Sequence, residues 1–200
     1  MPEENVYDAN FTAGGLLHHE FIALEKVILG NAFEEALKLE ESQNQFVGIK
    51  TIAARKRVLA EVKRRVLHVP EAFWNQFYQW SEKEQKLALL YVCLKTYRLV
   101  FDIHWEVSLN KFKTGSALDA YSVSMFLDEL ASKDDYVAHW SSSTMYKLNV
   151  QYRKALKDSG LLTKAILRKP LGIPESFWTF FKTIDESWWM EACFVPNNIE

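Results

Sequence analysis

Between Ser81 and Lys113 the chain is apolar on almost every side, and this stretch limits the architectures open to the rest of it. Beyond Leu87 its charged and amide residues, Lys111 apart, are Lys95, Arg98, Asp102, Glu106, Asn110 and Lys113. They recur every three or four positions, so a helix gathers them into one narrow stripe. Leu87, Leu90, Leu94, Tyr97 and Phe101 take one further face, and Val92, Val100, Ile103 and Val107 another. One long helix of this kind, or two meeting near Lys95, belongs at the centre of a helical domain. A membrane span is excluded, because the longest uninterrupted apolar run, Leu87 to Leu94, has 8 residues, against the roughly 20 that a bilayer needs. Arg98 and Asp102 stand four apart, where an ion pair on a wet stripe is the ordinary outcome.

Around such a helix the other segments must supply a shell, and 48% hydrophobic and 14% aromatic residues are enough to build one. Only 7 glycines and 5 prolines interrupt the chain, and alternating strand-like runs are scarce, so the expected class is all-α. The architecture expected is a compact multi-helix bundle around the long central helix. A break at Thr114 to Ser116 divides it into an N-terminal subdomain, 1–113, and a C-terminal one, 117–200, which pack as two units or as one. The first helix is expected from Thr12 to about Leu29, ended by Gly30, and a shorter acidic helix from Asn31 to about Glu41. Cys93 and Cys193 lie in apolar surroundings and read as buried thiols of a reducing compartment. Met1 to Asn10 is acidic and lacks the basic-then-apolar order of a signal peptide, so a cytoplasmic location is expected.

The net charge of −2 hides a strong segregation. Met1 to Ile49 carries nine acidic and two basic residues, whereas Lys50 to Arg65 carries seven basic and one acidic. Thr144 to Lys169 again carries seven basic and one acidic, with Lys164, Arg168 and Lys169 closing the block. Two concentrated basic blocks in an acidic protein are local electrostatic footprints. At helical spacing, Ile52, Val58, Leu59, Val62, Val66 and Val69 share one arc of the first block. Lys50, Lys56, Arg57, Lys63, Arg64 and Arg65 take the remainder, and Arg55 alone intrudes on the apolar side. Such a helix can lie along phosphates, or be a solvated face neutralised by Glu34, Glu35, Glu40 and Glu41.

Val69-Pro70-Glu71-Ala72-Phe73-Trp74 and Ile173-Pro174-Glu175-Ser176-Phe177-Trp178 repeat one pattern of helix start, each with a further phenylalanine, Phe77 or Phe181, four residues past the first. Both read as starts that pin aromatic rings into the core. Past the break, a helix is expected around Tyr121 to Ser132, a short turn through Val137 and Trp140, and a helix from about Thr144 to Asp158 capped by one of Ser141 to Ser143. That last helix buries Met145, Leu148, Tyr152 and Leu156 and presents Lys147, Arg153, Lys154 and Lys157. Three short helices of this kind look like a helix-turn-helix, and Gly160-Leu161-Leu162 followed by Thr163 to Leu167 like the start of a small wing.

No glycine-rich phosphate loop, nucleophile elbow or metal-ligand cluster is recognisable, so neither catalysis nor a cofactor is expected. His18, His19 and Glu20 resemble the opening of a zinc-protease motif, but the second histidine would fall at Ala23.

Three motifs carry a family resemblance: Lys95-Thr96-Tyr97-Arg98-Leu99-Val100-Phe101-Asp102, then Phe126-Leu127-Asp128-Glu129, then Trp140-Ser141-Ser142-Ser143-Thr144 through Gly160-Leu161-Leu162. In this order and spacing they resemble the BrxA family of bacterial BREX phage-exclusion systems, over about Leu16 to Phe194. The resemblance implies a small cytoplasmic, all-helical accessory protein that binds DNA, is similar in part to the transcription antitermination factor NusB, and acts beside the other components of the defence system. It supplies no catalytic motif. The expected role is therefore phosphate contact with duplex DNA, at low sequence specificity, through the two basic helices. The competing reading is a scaffold whose basic helix meets an acidic partner or the protein's own N-terminal helix. Single-stranded DNA and RNA stay open as ligands.

Overall fold

Gly14 and Gly15 divide what the periodicity predicts as one helix from Thr12 to Leu29. A computed structural model of the protein describes residues 5–196, leaving out the first part of the acidic start and the last four residues. Its chain begins with a 3-10 turn, Asn10–Ala13, followed by α1 (His18–Ala23) and α2 (Glu25–Ile28). Gly15 has a φ of +59°, and a Cβ there would stand 2.9 Å from Oε1 of Gln151. The positive φ is what makes glycine the fitting residue at this corner, since the end of the Gln151 side chain could give way to a Cβ. The acidic helix follows as α3 (Phe33–Gln43), the basic helix as α4 (Ile52–Leu67), and the first Pro-Glu start as α5 (Glu71–Phe77).

The central stretch is two helices rather than one rod. α6 (Glu82–Thr96) opens with a capping box between Ser81 and Glu84. Every residue from Leu87 to Leu94 is buried, which is why α6 has no outer face. Tyr97 then adopts an extended conformation (φ −118°, ψ 108°) and breaks the helix close to the expected junction. The chain resumes as α7 (Arg98–Asp102), widens into a π-helical turn, Ile103–Ser108, and ends as α8 (Leu109–Lys113). The wide turn accommodates Tyr152 from a later helix, whose hydroxyl meets Ser108 Oγ at 2.6 Å and His104 Nδ1 at 3.1 Å.

Past the loop at Gly115 come α9 (Ala120–Ala131), α10 (Asp135–Ala138) and α11 (Ser142–Asp158), then a two-stranded antiparallel hairpin of β1 (Leu162–Thr163) and β2 (Ile166–Leu167). Side-chain caps start all three helices: Asp119, Asp134 and Ser141 accept from the backbone N–H groups of Ser122, Val137 and Thr144. The hairpin pairs Leu162 with Leu167 and Thr163 with Ile166. The chain closes with α12 (Glu175–Thr183) and α13 (Trp188–Ala192). Among the described residues this hairpin is the one sheet, so the all-α expectation holds for the body of the protein.

The two Pro-Glu starts do what their aromatics suggest, and they do it against each other. Phe73 of α5 lies 6.3 Å from Phe181 of α12, and Trp80 lies 4.8 Å from Phe177 and 5.8 Å from Phe181, ring centre to ring centre. Tyr91 of α6 continues this seam to Trp189 of α13 at 5.8 Å. Buried apolar residues from Phe11 to Phe194 thereby form one core, drawn from both expected subdomains. Cys93 and Cys193 are buried free thiols within it. Among the described residues no helix is long and apolar enough to cross a membrane.

Candidate nucleic-acid interface

Each basic block has to be judged by how its charges are already engaged. On α4 they are engaged almost throughout, and by the acidic N-terminal segment. Lys56 pairs with Glu41 at 3.1 Å, Lys63 with Glu34 at 2.7 Å, and Arg64 with Asp8 at 2.7 Å. Arg57 donates to Thr12 Oγ1 at 2.9 Å. Arg55 is buried, as its place on the apolar arc implies, and its guanidinium closes the loop before α4 by donating to the carbonyls of Glu41 and Ile49, both at 2.7 Å. Lys50 is exposed just ahead of the helix. Ile52, assigned by spacing to the apolar arc, is exposed.

Arg65 does not belong to a surface set. It is 0% exposed. Its Nε donates to Tyr97 Oη at 2.8 Å and one terminal nitrogen to the Leu16 carbonyl at 3.1 Å, while the other has no partner among the described residues. Tyr97 in turn donates to the carboxylate of Glu61. The guanidinium sits 5.1 Å from the Tyr97 ring centre and 6.0 Å from that of Phe11. A cation held this way is a structural strut that phosphates cannot reach. Spacing could have shown it, since Arg65 follows Val58 by seven and Val62 by three, on the buried stripe.

The second block stands differently. On α11, Lys147, Lys154 and Lys157 are exposed and Arg153 half-buried; Lys164, Arg168 and Lys169 on and after the hairpin are exposed. Lys154 pairs with Asp158 on its own helix at 2.5 Å, and Arg153 donates to Asn149 Oδ1 at 2.8 Å. Among the described residues, Lys147, Lys157, Lys164, Arg168 and Lys169 have no ion pair. The scaffold under them is rigid: Leu148, Tyr152, Ala155 and Leu156 are buried, and Asn149 ties α11 to α9 through the Ala120 carbonyl at 2.7 Å and Ser124 Oγ at 2.8 Å. From Lys147 to Lys157 the cations span about 15 Å of helix.

At the hairpin tip both Lys164 (φ 49°) and Ala165 (φ 67°) are left-handed. Two positive φ values are what a two-residue hairpin with matched twist requires, and side chains other than glycine or asparagine pay a steric penalty there. The tip is held by a hydrogen bond from Leu118 N–H to the Ala165 carbonyl, 2.8 Å. Lys164 is thus fixed at the apex.

Two features of this face were not legible in the sequence. Lys83 and Lys86, in the first turns of α6, border with Arg168 a groove of about 510 Å³ at the foot of the hairpin, which Glu82, paired with Lys86, and Asp158 also line. Only the tertiary fold brings them there. Tyr146 is 70% exposed on α11, one position off the buried stripe that Met145 and Leu148 define. His18, by contrast, is an internal contact, 3.1 Å from Gln85 Oε1, and the described residues hold no group of three or more potential metal ligands.

A crystal structure of an uncharacterized protein from Magnetospirillum magneticum has the same fold: 18% identity, a TM-score of 0.75, and cover of 94% of this chain and 97% of that one. The BREX protein BrxA of Bacillus cereus (strain H3081.97) is 28% identical over 167 residues, 81% of this chain and 82% of the relative. A sequence model of the BrxA family matches residues 5–177, and the chain belongs to that family.

Proposed function

We propose that this protein is a non-catalytic, DNA-binding accessory component of a BREX phage-defence system, and that it contacts phosphates through α11 and the hairpin rather than through α4. The observation that carries this reading is the contrast between the two basic blocks. Lys56, Lys63 and Arg64 of α4 pair with the protein's own N-terminal acids and Arg55 and Arg65 are buried, so only Lys50 and Arg57 of that block are exposed without an ion pair, against five on α11 and the hairpin among the described residues. α9, α10 and α11 with the hairpin have the order of a helix-turn-helix followed by a wing. The exposed Ser142 and Ser143 at the start of α11 add hydroxyl donors where the helix end favours an anion.

Binding of the purified chain to a random-sequence duplex, across a salt series from about 50 to about 200 mM, tests the reading. Six phosphate contacts would lower affinity by about a thousand-fold over that range. Lys147→Glu with Lys157→Glu is expected to abolish duplex binding at an unchanged melting temperature. Absence of duplex binding at the lowest salt would overturn the proposal. It would move the weight to a protein-interaction role, which the exposed Tyr121 and Met125 on the outer side of α9 favour.

A further inference from the structure

Beside the break in the central helix the surface opens into a cavity of about 530 Å³, within the range of sites for small ligands. Arg64, Lys95 and Arg98 converge on it from α4, the end of α6 and the start of α7, and Phe101 and Trp188 supply ring surface. All three cations are anchored on one side only. Arg98 uses Nε for Asp102 at 2.9 Å, Lys95 gives one bond to Glu186 at 2.6 Å, and one terminal nitrogen of Arg64 serves Asp8 at 2.7 Å and the Thr96 carbonyl at 3.5 Å. None of these three carboxylates lines the cavity.

Among the described residues the donors left over are the terminal nitrogens of Arg98, beside which Tyr7 stands as a further hydrogen-bond partner, two N–H groups of Lys95, and Nε with the second terminal nitrogen of Arg64. Holding Arg98 through Nε leaves its terminal nitrogens pre-oriented as a fork that phosphate oxygens match, while Arg64 and Lys95 offer single contacts. Phe101 and Trp188 meet edge to face at 5.9 Å and are only half-buried, unlike Trp189 next along the chain, which is fully buried. The Arg98 guanidinium stands 5.7 Å from the Phe101 ring centre. A flat base can stack on such a surface.

We infer that this cavity is a binding site for a nucleoside phosphate, with its phosphates on Arg98, Lys95 and Arg64 and its base against Phe101 and Trp188. The ligand's source is either a free nucleotide or the phosphorylated end of a nucleic-acid strand. This site is separate from the α11 and hairpin surface and does not depend on it.

Calorimetric titration of the full chain with ATP, and separately with a short 5′-phosphorylated single strand, tests the inference. Arg98→Gln and Lys95→Ala serve as variants, each checked by melting temperature. Losing one charged contact is expected to weaken binding about ten- to a hundred-fold. Lys95→Ala leaves only the surface pair with Glu186 broken, so it carries the test if Arg98→Gln does not fold. Saturable ATP binding that both folded variants weaken supports the site with a free nucleotide. The same pattern for the strand alone supports it with a strand end. No saturable binding of either below about 1 mM, or binding that the variants leave intact, would overturn the inference. Duplex affinity in these variants is expected to match the parent protein, so failure here leaves the α11 reading standing.

Discussion

At the scale of single residues the core holds two polar groups whose states can be measured. His104 is fully buried, its Nε2 donates to the Ala192 carbonyl at 2.7 Å, and its Nδ1 accepts from Tyr152 Oη. That pattern requires a neutral ring. Burial lowers its pKa from 6.5 to about 4, with the Ala192 carbonyl opposing the shift. As pH falls, the unfolded histidine takes up its proton first, so stability is full above about pH 6.5 and is lost progressively down to about pH 4. Urea titrations should find the protein about 2 kcal/mol less stable near pH 5 than near pH 7 on this account, and His104→Gln should remove that component. Arg65→Ala strips the buried cation from Glu61 and Tyr97 and is expected to cost about 3–5 kcal/mol. Arg57→Ala, losing one exposed hydrogen bond, should cost less than about 1 kcal/mol. The sequence alone could not rank these arginines by type; only the position of Arg65 on the Val58 and Val62 stripe distinguishes it.

Elements were legible wherever pattern and punctuation agreed. α11 ends at the expected Ser159-Gly160, with Gly160 at φ +81°, and starts from the expected serine cap. The first helix failed because Gly14-Gly15 outweighs an apolar period that continues through it. The hairpin was visible only as a hint, because Lys164-Ala165 carries no turn signature and a tertiary bond from Leu118 imposes its geometry. Ala165→Gly is therefore expected to stabilise the protein by up to about 1 kcal/mol, read as a higher melting temperature with unchanged duplex affinity. Lys164→Gly should also hold or raise the melting temperature, yet flatten the salt dependence of duplex binding by about one counterion. On α4 the pairs of Lys56 with Glu41 and of Lys63 with Glu34 are the neutralisation by the acidic helix that the charge pattern left open, whereas the pair of Arg64 with Asp8 joins segments remote in sequence and could not be read in advance. Lys56→Glu with Lys63→Glu should leave duplex affinity unaltered if α11 and the hairpin form the interface.

For the molecule as a whole, the decisive contacts run between α5 with α6 and the returning α12 and α13. The chain crosses from the N-terminal to the C-terminal half at Gly115 and comes back, so α12 completes the core beside Phe73 and Trp80. A single unfolding transition is expected by both circular dichroism and calorimetry, and cutting the loop at Gly115 should not release two independently folded halves. That return was unreadable from local periodicity, although the matching Pro-Glu-x-Phe-Trp starts supplied its two faces. The same arrangement sorts the chain's optical signals. Of seven tryptophans, Trp74, Trp80, Trp105, Trp178, Trp188 and Trp189 belong to the aromatic network of the core, whereas Trp140 sits in the turn between α10 and α11. Emission from the first group reports on the folded core, and Trp140 is the natural chromophore beside α11. A fluorescence change on adding duplex that vanishes in Trp140→Phe would place the nucleic acid at that turn, with no label attached.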